Sequence, residues 1–257
     1  MIIKKTSAEL DAMAEAGAIH VRTMDLLAGK IRAGVTTGEL DAAAEKYIRS
    51  QGATPAFKGY RGFPGSICTS PNEMVVHGIP GKFKLRKGDI LSVDIGVVKD
   101  GWVADGARTF PVGEISPVAE KLLEVTERSL FKAVERCLPG NRLGDVSNAV
   151  QTTVEAEGLS VVRSLVGHGI GRSMHEEPQI PNYGPAGKGI VLEEGMVLAI
   201  EPMVTAGRHM VRMGDDGWAI YSQDGSLAAH FEFTVAVTED GPRILNPWHL
   251  SGQRAAA

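Results

Sequence analysis

The stretch LRKGDILSVD at residues 85–94 returns 107 residues later as LEEGMVLAIE at residues 192–201. Leu85, Gly88 and Leu91 recur as Leu192, Gly195 and Leu198, and Asp94 falls against Glu201. Upstream, GVTTGELDAAAEKYIRSQG (34–52) aligns with GNRLGDVSNAVQTTVEAEG (140–158) at almost the same offset. Two copies of one unit constrain the fold more than any composition does. They predict halves spanning roughly 7–112 and 117–240, packed about a pseudo-twofold axis, with their strands in a shared sheet and their helices covering it. No Pro/Gly/Ser-rich linker separates the halves, so residues 1–257 read as one domain.

Each half reads as helix, helix, then strands. Thr6 with Glu9 and Thr36 with Glu39 have capping-box spacing, opening helical patterns over 7–31 and up to Gly52. Ser116 followed by Pro117 opens a third over 117–137, because proline suits the first helical position. In the fourth, Val146, Val150 and Val154 share a helical face and Gly158 closes the run. Asp100-Gly101 is a hairpin turn signal between two strand-forming stretches.

Within the first of those stretches, alternation sets Leu91, Val93 and Ile95 on one face and Ser92 with Asp94 on the other. Alone, Asp94 reads more simply as a solvent-facing residue of a half-exposed sheet. Asp105, in GWVADGARTF, changes that reading, since the hairpin brings it towards Asp94 and two close carboxylates need a cation between them. Glu201 and Glu232, the latter in HFEFTVAVT, offer the same pairing in the second half. His168 lies between Gly167 and Gly169, where the backbone leaves room for an imidazole. His77 in EMVVHGIPG and His175 in GRSMHEEP are further polar groups in apolar or glycine-rich surroundings. Asp94, Asp105, His168, Glu201 and Glu232 together make a hard, oxygen-rich donor set suited to divalent Mn, Fe, Co or Zn. Five donors fit a pair of ions sharing bridging carboxylates, the arrangement of two-metal hydrolases.

Several function classes are excluded at this level. The 257 residues carry a net charge of -4 and no dense basic run, which argues against nucleic-acid binding. No apolar run reaches the length of a membrane span. The start MIIKKTSAELDAMAEAG lacks a secretory h-region, and the two cysteines, Cys68 and Cys137, have no CxxC spacing, so a reducing cytoplasm is expected. The tail SGQRAAA is expected to be loosely ordered.

The stretches NEMVVHGIP, LSVDIGV, DGARTF, GHGIGRSMHEEP, LAIEP and HFEFTVAVT, in this order, closely resemble those of type I methionine aminopeptidases. The resemblance runs from the first helix to about residue 245 and implies the α+β pita-bread fold, with a curved antiparallel sheet covered by helices. It implies two divalent metal ions per chain, drawn from Co, Mn, Fe, Zn and Ni. Asp94, Asp105, His168, Glu201 and Glu232 are then the ligands, with Asp105 and Glu232 bridging. It further implies Glu201 as proton acceptor, His175 beside the oxygen that becomes negative, and His77 beside the peptide nitrogen beyond the scissile bond. Tyr60, Phe63, Cys68 and Trp218 correspond to the pocket for the methionine side chain, where aromatic and sulfur groups suit a thioether. Met174 departs from the family's frequent phenylalanine and is more flexible, which leaves pocket shape and substrate range open.

The activity so implied is removal of initiator methionine from nascent chains, with a small second residue preferred. A monomer acting on nascent N-termini, with transient ribosome association and no nucleic-acid or membrane partner, is the accompanying expectation. The absence of a cysteine-rich or basic extension before the core fits the short, bacterial form. Two rivals keep the same fold: a proline-directed peptidase, which generally carries an extra N-terminal domain, and a binding protein that has lost catalysis. A mononuclear iron oxygenase needs two histidines and one carboxylate instead of this acid-rich set.

Overall fold

The computed structural model describes residues 2–250; the tail SGQRAAA lies outside the described residues. Four helices form where the caps predict: α1 (Ser7–Ala28), α2 (Thr37–Ser50), α3 (Pro117–Val134) and α4 (Leu143–Glu155). Both capping boxes close, with Thr6 N–H donating to Glu9 Oε2 at 2.9 Å and Thr36 N–H to Glu39 Oε2 at 2.7 Å. The Ser116 hydroxyl accepts from Ala119 N–H at 3.2 Å. α1 and α3 stop three residues short of their apolar patterns, because Lys30 N–H turns back to Leu27 O and Cys137 N–H to Val134 O. α1 lies across the hairpin strands, and Gly17 lets it approach the segment that follows the last strand: a Cβ there would overlap the Leu245 carbonyl.

The halves carry matching hydrogen bonds. Gly34 N–H donates to Leu85 O as Gly140 N–H does to Leu192 O, and Gly88 N–H donates to Val112 O as Gly195 N–H does to Val237 O. Isolated antiparallel bridges join Thr36 to Lys84 and Arg142 to Val191. The repeated glycine has a local cause, since Gly88 and Gly195 sit at φ of 98° and 83°, a region other L-residues avoid.

In the first half, Ile90–Lys99 and Trp102–Pro111 pair in unbroken register, turning at Asp100 and Gly101, both with positive φ. Leu91, Val93, Ile95 and Val97 are fully buried in the main core, each apolar side chain worth roughly 1.5–3 kcal/mol. The second half supplies a five-stranded antiparallel sheet in the order Gly241–Ile244, Phe233–Thr238, Val197–Ile200, Gly167–Gly169, Glu176–Ile180.

Where the sheets meet, their strands are splayed. A direct backbone bond, Glu232 N–H to Ala107 O at 2.9 Å, lies at the seam. On either side a threonine hydroxyl replaces the missing pair. Thr234 Oγ1 accepts from Asp105 N–H (3.0 Å) and donates to Asp105 O (2.7 Å), while Thr109 Oγ1 accepts from His230 N–H and donates to His230 O, both at 2.9 Å. Splaying leaves the carboxyl-bearing faces open towards one cavity. No helix among the described residues is long and apolar enough to cross a membrane.

Candidate metal centre

Register explains why the acids converge. Asp94 pairs with Ala107, so Asp105, two residues from Ala107, shares the face of Asp94 on the adjacent strand. In the second half His168 and Thr234 both pair with Ala199, which sets His168, Glu201 and Glu232 on a common face. Across the seam, ligand atoms of Asp105, His168 and Glu232 lie within 4.8 Å of one another. His168 Nε2 is 3.6 Å from Glu201 Oε1 and 3.9 Å from Asp105 Oδ2. Its Nδ1 lies 2.9 Å from Gly169 O; an Nδ1–H donated there leaves the Nε2 lone pair facing the carboxylates.

Electrostatics define what the cluster lacks. Burial, then the charges of Asp105 and Glu201, pushes the Asp94 pKa well up, and burial pushes Asp105 up to about 7. Glu201 and Glu232 are raised well above the ordinary range, again by burial first and neighbouring carboxylates second. His168 is pushed down to about 4 by burial and by His175. Asp94 Oδ1, Asp105 Oδ1 and Glu232 Oε1 are buried without a hydrogen-bond partner. Four acceptor-only groups and a neutral imidazole with a free nitrogen fit divalent cations, which remove the cost of ionising buried carboxyls and occupy the orphaned oxygens.

The five donors line one cavity of about 300 Å³ together with His77, His175, Tyr60, Phe63, Cys68 and Trp218. Tyr60 stacks on His175, with its hydroxyl 2.8 Å from Nδ1. His175 lies against His168, with ring centroids 4.2 Å apart. Phe63 meets Trp218 edge to face at 5.1 Å. Cys68 pairs directly with Asp94 and is buried; burial and that carboxylate hold its thiol protonated. His77 sits at φ 61°, a strained region that clusters at functional sites, and points its chain into Gly78, whose Cβ position is filled by the Thr69 carbonyl.

Met174 does not line this cavity: it is buried in a separate cluster with Met13, Trp102 and Ile170, its methyl against Gly96. The turn that carries it folds inward on that side, so its flexibility is spent in packing. Conversely, sequence reasoning missed His230, which lines the cavity and is buried with its Nε2 unpartnered, 3.8 Å from both Glu201 Oε2 and Glu232 Oε2. The signal was present in HFEF, where a period of two puts His230 on the face of Glu232.

Comparison with known proteins agrees with this geometry. Residues 11–239 match the model of metallopeptidase family M24. A methionine aminopeptidase of Clostridium perfringens is 54% identical over 245 residues, covering 95% of this chain and 98% of that one. Methionine aminopeptidase 1 of Bacillus subtilis is also 54% identical, covering 95% and 99%. The crystal structure of the Rickettsia prowazekii methionine aminopeptidase superposes with a TM-score of 0.94 at 40% identity, covering 96% of this chain and all of that one. With its α+β pita-bread architecture, the chain belongs to metallopeptidase family M24 and, within it, to the methionine aminopeptidases.

Proposed function

We propose that this chain releases N-terminal methionine through two divalent ions held by Asp94, Asp105, His168, Glu201 and Glu232, with Asp105 and Glu232 as the shared carboxylates. When bound, the ions supply Lewis-acid polarisation of the scissile carbonyl and a water acidified enough to attack at neutral pH. Glu201, at the cavity wall, takes the proton of the attacking water and returns it to the departing amine. His175 faces the carbonyl oxygen as it becomes negative. With the Tyr60 hydroxyl donating to Nδ1, its Nε2 carries the proton and donates it as a hydrogen bond. Partial burial, with Arg61 and His77 nearby, lowers the His175 pKa, which favours a neutral donor at pH 7. His77 contacts the nitrogen beyond the scissile bond.

Tyr60, Phe63, Cys68 and Trp218 receive the thioether. Their apolar and sulfur surfaces favour methionine over charged side chains, and a small second residue is preferred. The setting is that of a cytoplasmic monomer meeting nascent N-termini, with transient ribosome contact. Two free, buried cysteines are consistent with a reducing compartment.

The observation that carries this reading is the convergence of five donors from separate segments, with three carboxylate oxygens left unpartnered in the protein. Incubation of the metal-loaded protein with Met-Ala-Ser and Met-Lys-Ser tests it. Free methionine is expected from the first far faster than from the second. Release from neither, with metal bound, refutes it.

A further inference from the structure

His230 has no place in the five-residue donor set, yet it is held as firmly as any member of it. Its backbone N–H and carbonyl are both engaged by Thr109 Oγ1 at 2.9 Å, so the seam fixes where its side chain starts. The ring lies on the side of Glu232, two residues on, with its Nε2 3.8 Å from Glu232 Oε2. The ring is 2% exposed and its Nε2 has no hydrogen-bond partner. Leaving a buried imidazole nitrogen unpaired costs free energy that a packing role does not recover.

What faces that nitrogen is specific. Glu201 Oε2 and Glu232 Oε2 each lie 3.8 Å away, too far for a hydrogen bond. Two donors to one divalent ion, each at about 2.1 Å, lie at most about 4.2 Å apart. The separations of His230 from its carboxylates meet that limit, as do those of His168 from Glu201 and Asp105, 3.6 and 3.9 Å. The Glu201 carboxylate is thus flanked by two imidazoles, His168 on Oε1 and His230 on Oε2.

Resting on the metal-dependent reading above, we propose that His230 is a sixth donor, its Nε2 ligating a divalent cation beside Glu201 and Glu232. The centre then has two nitrogen donors among four carboxylates. A second imidazole favours Zn, Ni and Fe over Mn, which prefers oxygen. His230 would therefore set which metal this chain retains.

Proton NMR of the Co(II)-loaded wild-type protein tests this without a variant. Two hyperfine-shifted, exchangeable imidazole N–H signals are expected, from His168 and His230. In His230→Gln one of them disappears, and zinc affinity, measured by competition with a chromophoric chelator, falls at least about tenfold, the loss typical of even an outer-shell partner. Manganese affinity falls less. A single imidazole signal in the wild type, or an unchanged zinc affinity in His230→Gln, overturns the assignment. Failure of the wild type to take up Co(II) at all overturns the metal-centre reading on which it rests.

Discussion

Replacing Asp105 with Asn isolates the electrostatic load that the buried acids place on the metal-free protein. Burial holds the Asp105 proton to about pH 7 in the folded state, against 3.8 in the unfolded chain. The stability this group contributes is therefore fully present below pH 3.8 and is lost as the pH rises through about 7. At about 1.36 kcal/mol per pH unit, the loss is about 4 kcal/mol. Asn cannot ionise, so in EDTA Asp105→Asn gains about 4 kcal/mol on the wild type between pH 4 and pH 8. Urea unfolding followed by tryptophan fluorescence measures the difference, with similar slopes required of both proteins. Excess manganese should offset most of that difference at pH 8, because ligand at a hundred times its dissociation constant adds about 2.7 kcal/mol to the better binder. A stability difference independent of pH in EDTA, or an Asn variant that loses ground as pH rises, refutes the claim that these carboxyls are buried without compensation.

Three further outcomes follow from the supporting structure. His20 is fully buried with Nε2 3.0 Å from Gly106 O, and burial lowers its pKa from 6.5 to about 4. The stability it contributes is present above pH 6.5 and lost as pH falls through about 4, roughly 3 kcal/mol in all; His20→Gln should flatten the acid limb of the unfolding profile by that amount. Gly106→Ala places a methyl group on the Asn246 amide, which holds Asp105 O, and on the His20 ring, which holds Gly106 O. Overpacking of this kind costs about 1–3 kcal/mol, and calorimetric metal titration should show weaker binding as well. Lys5 Nζ lies 2.6 Å from Glu176 Oε2 in an almost fully buried pair, and Glu176 Oε1 takes the N–H groups of Arg172 and Ser173. Lys5→Met should cost about 3–5 kcal/mol by thermal or urea unfolding, with methionine release falling because the turn carrying His175 is loosened.

The parts of the fold that could be read from the sequence are those with local or periodic causes. Thr6 with Glu9 and Thr36 with Glu39 mark their helices because cap chemistry involves residues three apart. Asp100-Gly101 marks the hairpin because positive φ is required at both places. Gly88 and Gly195 recur because each half makes the same turn. The seam could not be read: the hydroxyls of Thr109 and Thr234 bridge strands more than a hundred residues apart, and nothing local distinguishes them from other strand threonines. His230 was missed for a related reason, since its significance depends on Glu201, brought beside it only by pairing of the strands. The place of Met174 could not be read either: its neighbour His175 lines the cavity, whereas Met174 packs in a separate apolar cluster.

The most direct measurement is an anomalous difference map from crystals of the chain loaded with manganese. Two peaks are predicted in the cavity bounded by Asp94, Asp105, His168, Glu201 and Glu232, separated by roughly 3.5–4 Å as in other paired hydrolytic centres. Peaks at other places, or an empty cavity at saturating manganese, would contradict the claim that these buried acids exist to hold cations.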